Sequence, residues 1–233
     1  MYLLHPKFAK DPRHYVRAFL LLQGDLQDLF AFVEPADENL RTYSHRIQQL
    51  LMRACIEVEA NLTAILVENR YQKASGNLTM TDYRLVNASH RLSAYEVRIP
   101  EWKGSLGSRR PFASWEQGDS SLSWYKAYNK SKHDRHESFR LATFNSLIDA
   151  MCGLVVVLSS QFFDEDYSSV AKSLNISSDY SYGTDDGMNS AIGGYFRVAF
   201  PSDWPEDDCY DFDWGALKGL DDPFDEFDHA GAA

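Results

Sequence analysis

Residues 40–65 read LRTYSHRIQQLLMRACIEVEANLTAI and contain the longest regular hydrophobic pattern in the 233-residue chain. The apolar residues recur three or four positions apart for about seven turns, which is typical of an amphipathic helix with roughly 3.6 residues per turn. Charged side chains border this stripe, and we interpret them as solvated helix edges. They are Arg46 and Glu57 on one side, and His45 and Glu59 on the other. This segment predicts a mainly helical protein.

The same periodicity appears on both sides of this segment. Residues 15–32 predict a first helix that ends before Pro35. Residues 121–135 and 138–163 predict two further helices, and the second of these is strongly apolar between Met151 and Leu158. A short helix is predicted around residues 80–90. The run of apolar residues in 138–163 is far shorter than the roughly 20 residues that cross a bilayer, so we expect a core helix.

Two short segments alternate apolar and polar residues as half-buried strands do. They are residues 95–100 and 195–201; each ends in proline, with a tryptophan shortly after. We expect them to pair, because two isolated strands are marginal unless a helix covers them. The predicted fold class is therefore mainly α, a helical bundle of about four to five helices. A small two-stranded β element and an irregular acidic C-terminal extension complete it.

Three regions follow from the changes in composition along the chain. Residues 1–165 predict a helical domain with the strand-like insert near 95–100. Residues 166–194, rich in Ser, Gly, Asp and Asn, predict a loop or linker. Residues 195–233 predict an acidic extension, and their many aromatic side chains favour packing on the helical domain over free solvation.

The charge distribution does not exclude a nucleic-acid ligand. The chain has a net charge of −11, but residues 201–233 hold eleven acidic side chains against Lys218 alone, which is −10. The other 200 residues are therefore close to neutral, at −1. A nearly neutral body can carry a local basic patch.

The remaining composition favours a cytoplasmic protein. Cys55 and Cys152 lie in apolar helical patterns and are predicted to be small buried hydrophobic residues. The first residues lack the basic start and apolar run of a signal peptide. We therefore expect a reducing compartment and no membrane association.

The most unusual chemistry lies in residues 124–136, WYKAYNKSKHDRH, and extends to Arg140. Residues 126–140 hold five Lys or Arg against two acidic side chains. On one continuous helix four polar side chains would share a face: Asn129, His133, His136 and Arg140. Such a basic strip is also typical of a solvated helix end, so the pattern by itself leaves both interpretations open.

An amide, an imidazole and cations together are what metal-independent RNA cleavage requires. We predict His133 as general base, Arg135 and Lys132 as phosphate contacts, and Asn129 as the group that positions the substrate. The predicted RNA-binding residues are Lys126, Lys130, His136, Arg140 and Tyr128, the last as a stacking surface. No cofactor is predicted. No metal is predicted either, because no carboxylate nearby in the sequence completes a site with the two histidines.

Residues 128–135, YNKSKHDR, resemble the Asn-x-x-Lys-His signatures of some HEPN-superfamily proteins, named for higher eukaryotes and prokaryotes nucleotide binding. The resemblance could cover residues 14–165. It implies a helical bundle that acts as a metal-independent endoribonuclease in toxin–antitoxin or antiphage systems. It further implies a homodimer and a protein partner such as an antitoxin. Other members of the superfamily are inactive scaffolds or nucleotide-binding modules.

The sequence departs from the usual HEPN pattern, an arginine followed after four to six residues by a histidine. No arginine stands that far before His133 or His136, whereas residues 84–90, RLVNASH, match the formula. Two functions therefore remain open: an RNA-binding protein or endoribonuclease, and a non-catalytic helical protein-interaction or scaffold module. A further hypothesis is that the acidic residues 201–233 imitate nucleic acid and compete for the basic strip.

Overall fold

The computed structural model describes residues 12–133, 135–163, 186–202 and 227–231. Its helices are numbered in chain order: α1 Pro12–Phe30, α2 His45–Glu68, α3 Met80–Arg84, α4 Val86–His90, α5 Ser123–His133, α6 Arg135–Ser138 and α7 Phe144–Phe162. The predicted mainly helical class is confirmed. The predicted tail residues 203–226 and the linker residues 166–185 lie outside the described part.

Helix α7 forms the centre of the core. Every residue in it is buried except Asn145 and Asp149, which is typical of a helix surrounded by other elements. Helix α2 lies along it with a buried face that agrees with the predicted pattern, and α1 and α5 also contact it. By length and composition α7 could cross a membrane, but 89% of its apolar window is buried inside the protein, as in a core helix.

The starts of two helices differ from the prediction because polar caps set them. The Ser44 side chain accepts a hydrogen bond of 3.2 Å from the Ile47 amide, so α2 begins at His45 and the predicted apolar positions Leu40 and Tyr43 precede it. The Thr143 hydroxyl accepts a 3.2 Å hydrogen bond from the Ser146 amide at the start of α7. A side-chain oxygen that bonds a free amide of the first turn stabilises a helix start in this way.

The predicted strand pair exists, within a larger sheet. Strands β1 (Glu96–Arg98), β2 (Ser108–Arg109), β3 (Asn189–Ser190) and β4 (Arg197–Ala199) are antiparallel in the order β2-β1-β4-β3. Val97 lies opposite Val198, which confirms the pairing of the two segments. The expectation of two strands was wrong, because β2 and β3 have two residues each and too few positions to show an alternating pattern.

Strand β2 is also tied to α7 by side chains. Arg109 donates hydrogen bonds of 2.8 Å to Asn145 Oδ1 and 3.3 Å to Asp149 Oδ1. Its guanidinium lies 5.3 Å from the centre of the Trp102 ring, within cation–π range. Burial raises the pKa of Asp149 to about 6. Asn145 and Asp149 thus anchor the sheet from the two positions of α7 that are not fully buried.

The two predicted helices 121–135 and 138–163 are wrong in their boundary. Helix α5 ends at His133, the short α6 follows at Arg135, and Phe139–Leu141 forms a 3-10 turn before α7 begins. Asn129, His133, His136 and Arg140 therefore do not share a face of one continuous helix, because the helix is interrupted between His133 and Arg140.

Candidate RNA-binding site

The bend between α5 and α7 forms an open pocket of about 620 Å³. Helix α5 and the following turn supply its lining: Asn129, Lys130, His133, Glu137, Ser138, Arg140 and Leu141. Lys130, His133 and Arg140 are exposed, and Asn129 is partly buried. The lining contains two positively charged side chains, Lys130 and Arg140, and one carboxylate, Glu137. The lining is therefore cationic at neutral pH.

Three aromatic rings, those of Tyr43, His45 and Phe139, form an aromatic rim at the turn whose residues Ser138 and Arg140 line the pocket. The ring of Phe139, between the lining residues Ser138 and Arg140, lies 4.6 Å from the ring of His45 and 5.7 Å from that of Tyr43. Tyr43 is 52% exposed. It meets Phe139 edge to face, a favoured geometry for aromatic pairs. The rim thus presents an aromatic surface next to the cations.

A partly buried network supports the pocket from behind. The hydroxyl of Tyr125 donates to one carboxylate oxygen of Glu59 on α2, and Tyr128 donates to the other over 3.5 Å. The Asn129 side chain forms a hydrogen bond with Tyr125. Burial, with Glu59 adding to it, raises the pKa of Tyr125, so its hydroxyl stays protonated at neutral pH. Glu59 and Tyr125 therefore hold Asn129 at the edge of the pocket.

Two of the predicted RNA contacts belong to this network instead. Tyr128 is 1% exposed and packs in the core, so the prediction that its ring stacks on a base is wrong for this conformation. Lys132 donates a 3.2 Å hydrogen bond to the Tyr128 hydroxyl, and its ammonium lies 5.2 Å from the centre of the same ring. That hydrogen bond raises the pKa of Lys132. Lys132 is thus engaged by a core residue and does not line the pocket.

The other predicted residues are dispersed around the bend. The structure brings Asn129, Lys130, His133 and Arg140 together at one pocket. Lys126 lines a separate pocket of about 340 Å³ on another side, with Arg110 and Asp149. The remaining two residues follow the break: His136 is exposed but does not line the pocket, and Arg135 begins α6 with its side chain outside the described part.

The second stretch singled out in the sequence, residues 84–90, is placed differently. His90 is 1% exposed, and its Nδ1 lies 2.8 Å from the Ser89 hydroxyl. Burial lowers its pKa well below the ordinary value. A substrate cannot reach this ring in the described conformation. The matching arginine-histidine spacing therefore does not mark an open site.

Sequence reasoning missed His45, Glu59 and Tyr43, which contribute to the site from the region of α2. His45 and Glu59 had been interpreted as solvated edges, yet His45 packs on Phe139 and Glu59 accepts from two tyrosines. The one sequence feature that could have pointed to them is that His45 and Glu59 lie on the same side of the helix, opposite Arg46 and Glu57. Only the packing of α5 against α2 shows that this side has a neighbour.

In the part of the chain that the structure describes, no three His, Cys, Asp or Glu side chains are grouped to hold a metal ion. Both described cysteines, Cys55 and Cys152, are free and buried, as the sequence predicted. Comparisons with protein-family models, curated proteins and solved structures found no match to this chain.

Proposed function

We propose that the protein binds single-stranded RNA at the pocket of Asn129, Lys130, His133 and Arg140 and cleaves it without a metal ion. The observation that supports this proposal most is the meeting of an amide, an imidazole and two cations at one open surface. These groups come from both sides of the α5–α7 bend. Metal-independent cleavage of a phosphodiester requires groups of these types within reach of one phosphate.

Each group has a role that its position supports. Lys130 and Arg140 attract the phosphate and stabilise the charge that grows on its oxygens. Asn129, held by Tyr125, positions the sugar or phosphate. The exposed rim of Tyr43, with His45 and Phe139 behind it, offers a stacking surface for an unpaired base. This last role replaces the one predicted for Tyr128.

The reaction follows from an exposed histidine beside a bound phosphate. His133 accepts the proton of the ribose 2′-hydroxyl as the 2′-oxygen attacks phosphorus. The bond from phosphorus to the 5′-oxygen breaks, and that oxygen leaves with a proton from water. The products are a 2′,3′-cyclic phosphate and a 5′-hydroxyl end, so atoms and charges balance without a metal ion.

The test compares two histidines three residues apart in the same basic segment. Wild type, His133→Ala and His136→Ala are incubated with a labelled single-stranded RNA in a metal chelator. We expect His133→Ala to cleave about 100- to 10,000-fold more slowly, the usual contribution of a general base. His136→Ala should retain wild-type activity, because this side chain is exposed outside the pocket.

Equal losses in both variants, or a folded wild type that cleaves no RNA, would contradict the catalytic part of the proposal. Product analysis adds a second criterion. A 3′-hydroxyl product in place of the cyclic phosphate would exclude the 2′-hydroxyl as nucleophile and with it the proposed role of His133.

A second candidate is the non-catalytic helical interaction module. It is favoured by exposed apolar surface at the same place, since Tyr43 is 52% and Leu141 37% exposed. A wild type that neither binds nor cleaves RNA would favour this function. The HEPN resemblance extends the first proposal to a cytoplasmic homodimer in prokaryotic defence or toxin–antitoxin regulation. Sedimentation of the full chain tests the dimer independently of activity.

A further inference from the structure

Near its end the chain returns to the helical body, at the end of α2 that lies far from the pocket. The Phe227 amide donates a 2.8 Å hydrogen bond to the side chain of Asn69, the residue that ends α2. At the other end of the same helix, Gln48 donates to the Ser131 carbonyl of α5. Gln48 and Asn69 are 21 positions apart, which corresponds to about 30 Å along the helix. Residues 227–231 are thus docked well away from the cationic site.

A buried polar cluster holds this segment. His229 is 1% exposed, and its Nε2 lies 2.8 Å from the Ser89 hydroxyl on α4. The same hydroxyl lies 2.8 Å from Nδ1 of His90, which is also 1% exposed. One serine oxygen therefore bridges two imidazoles that are 139 positions apart in the sequence. Of these three residues, only His229 belongs to the C-terminal segment.

The geometry of this cluster accommodates two neutral imidazoles. The serine hydroxyl has one proton, and the Val86 carbonyl, 3.2 Å away, and the two rings compete to accept it. A ring that does not accept this proton donates its own N–H to the serine oxygen. Both rings are neutral in each arrangement. The outer nitrogens, Nε2 of His90 and Nδ1 of His229, have no hydrogen-bond partner among the described residues. An added proton would place a positive charge inside the protein, which is unfavourable.

The charged groups near the cluster do little to accommodate an added proton. Burial is the largest effect on His229 and lowers its pKa, and the backbone of Phe227 and the exposed Asp228 only partly offset it. Burial also lowers the pKa of His90, and a charge on His229 would add to this effect. The elements that meet here carry these further charged residues: Glu68 and Arg70 at the end of α2, and Arg84 and Arg91 around α4.

We propose that Ser89, His90 and His229 form a pH-sensitive latch that holds the C-terminal segment on the body at neutral pH and releases it in mild acid. The docked state binds fewer protons than the released state, in which the rings regain the ordinary pKa of 6.5. Docking is therefore strongest above pH 6.5 and weakens as the pH falls below it. Below pH 6.5, each histidine lowers the equilibrium constant for docking about tenfold per pH unit, until the pH reaches the pKa of the docked ring.

Release would free one end of a strongly acidic segment. Residues 203–226 hold ten acidic side chains and one lysine. In the docked state, Phe227 and His229, which follow them in the sequence, are held by Asn69 and Ser89. The latch is independent of the proposed RNA binding, because Ser89, His90 and His229 do not line the pocket. A negative result for one proposal therefore does not contradict the other.

The test measures protection of the C-terminal amides by hydrogen–deuterium exchange of the full chain at pH 7.5, 6.5 and 5.5. Exchange times are scaled for the intrinsic pH dependence of exchange. We expect the protection of residues 227–231 to fall about tenfold or more between pH 6.5 and 5.5 in wild type. His136→Gln, which changes an exposed histidine outside the cluster, should show the same fall.

His229→Gln supplies the decisive variant, because an amide can bond Ser89 but does not titrate in this range. Its protection should fall with pH about half as steeply, on a logarithmic scale, as that of wild type, because only His90 then titrates. If glutamine fails to dock at any pH, NMR titration of the wild-type histidines replaces it, and His90 and His229 should then protonate together as protection is lost. Unchanged wild-type protection down to pH 5.5, or titration of either ring with no loss of protection, would overturn the latch.

Discussion

His133 and His90 lie in opposite environments within one small protein. His133 is exposed at an open pocket beside Lys130 and Arg140. His90 is sealed under the C-terminal segment and shares the Ser89 hydroxyl with His229. The first ring is open to solvent and can meet a phosphate. The second can change its charge only if the structure around it opens.

The difference shows why residue type and spacing do not identify a functional histidine. Residues 84–90 have the arginine-histidine spacing of the HEPN pattern, yet His90 is inaccessible. His133 lacks that spacing and occupies the open site. The chemical role of a histidine depends on its exposure to solvent and on the polar groups around it. Substitutions at the two places should therefore change different properties, stability at the sealed cluster and RNA chemistry at the open pocket.

The largest expected contrast in stability is between Ser89 and Ser138. Ser89→Ala removes the hydroxyl that bridges two buried imidazoles and leaves their inner nitrogens unsatisfied. It should lower the free energy of unfolding by about 1–3 kcal/mol. Ser138→Ala, at the edge of the open pocket, should change it by less than about 0.5 kcal/mol. Urea denaturation at pH 7.5 measures both, and equal effects would remove the distinction between the two regions.

A smaller contrast concerns the network behind the pocket. Glu59→Gln removes the charge that accepts hydrogen bonds from Tyr125 and Tyr128, and should cost about 1 kcal/mol of stability. Burial raises the pKa of Glu57, so its charged form is disfavoured in the folded state. Because an acid whose pKa is raised loses stability as the pH increases, Glu57→Gln should be neutral or slightly stabilising at pH 7.5.

Thermal unfolding of the two glutamine variants separates these expectations. The same comparison tests the support of Asn129, since Glu59→Gln should also weaken RNA binding whereas Glu57→Gln should not. A destabilised Glu57→Gln with an unaffected Glu59→Gln would reverse the roles that the structure gives to the two sides of α2.

Local patterns were sufficient for the larger elements of the fold. The periodicity of α1, α2 and α7 survives in the structure, and the similar segments around Val97 and Val198 pair as expected. Periodicity placed the break between these helices at residues 136–137, whereas α5 ends at His133 and α7 begins at Phe144, because caps and turns, which have no period, set the ends of helices. Two-residue strands such as Asn189–Ser190 have no period to detect.

The site was predictable in composition and not in geometry. The sequence identified Asn129, Lys130, His133 and Arg140, but brought Asn129, His133 and Arg140 onto one face only for a continuous helix. It also added Tyr128 and Lys132, which the core engages. It gave no indication that Tyr43 and His45 would meet Phe139, about 95 residues later. Long-range packing decides such contacts. The contact between Ser89 and His229 also depends on long-range packing.

The most direct test of the RNA-binding pocket compares Lys126→Ala with Lys130→Ala. These exposed lysines lie one turn apart on α5, and only Lys130 lines the pocket with His133. The measurement is the dissociation constant for a single-stranded RNA at several salt concentrations. Lys130→Ala should reduce the slope of log affinity against log salt by about 0.7, the loss of one phosphate contact, while Lys126→Ala retains the wild-type slope. A reduced slope in Lys126→Ala with an unchanged slope in Lys130→Ala would contradict the location of the site.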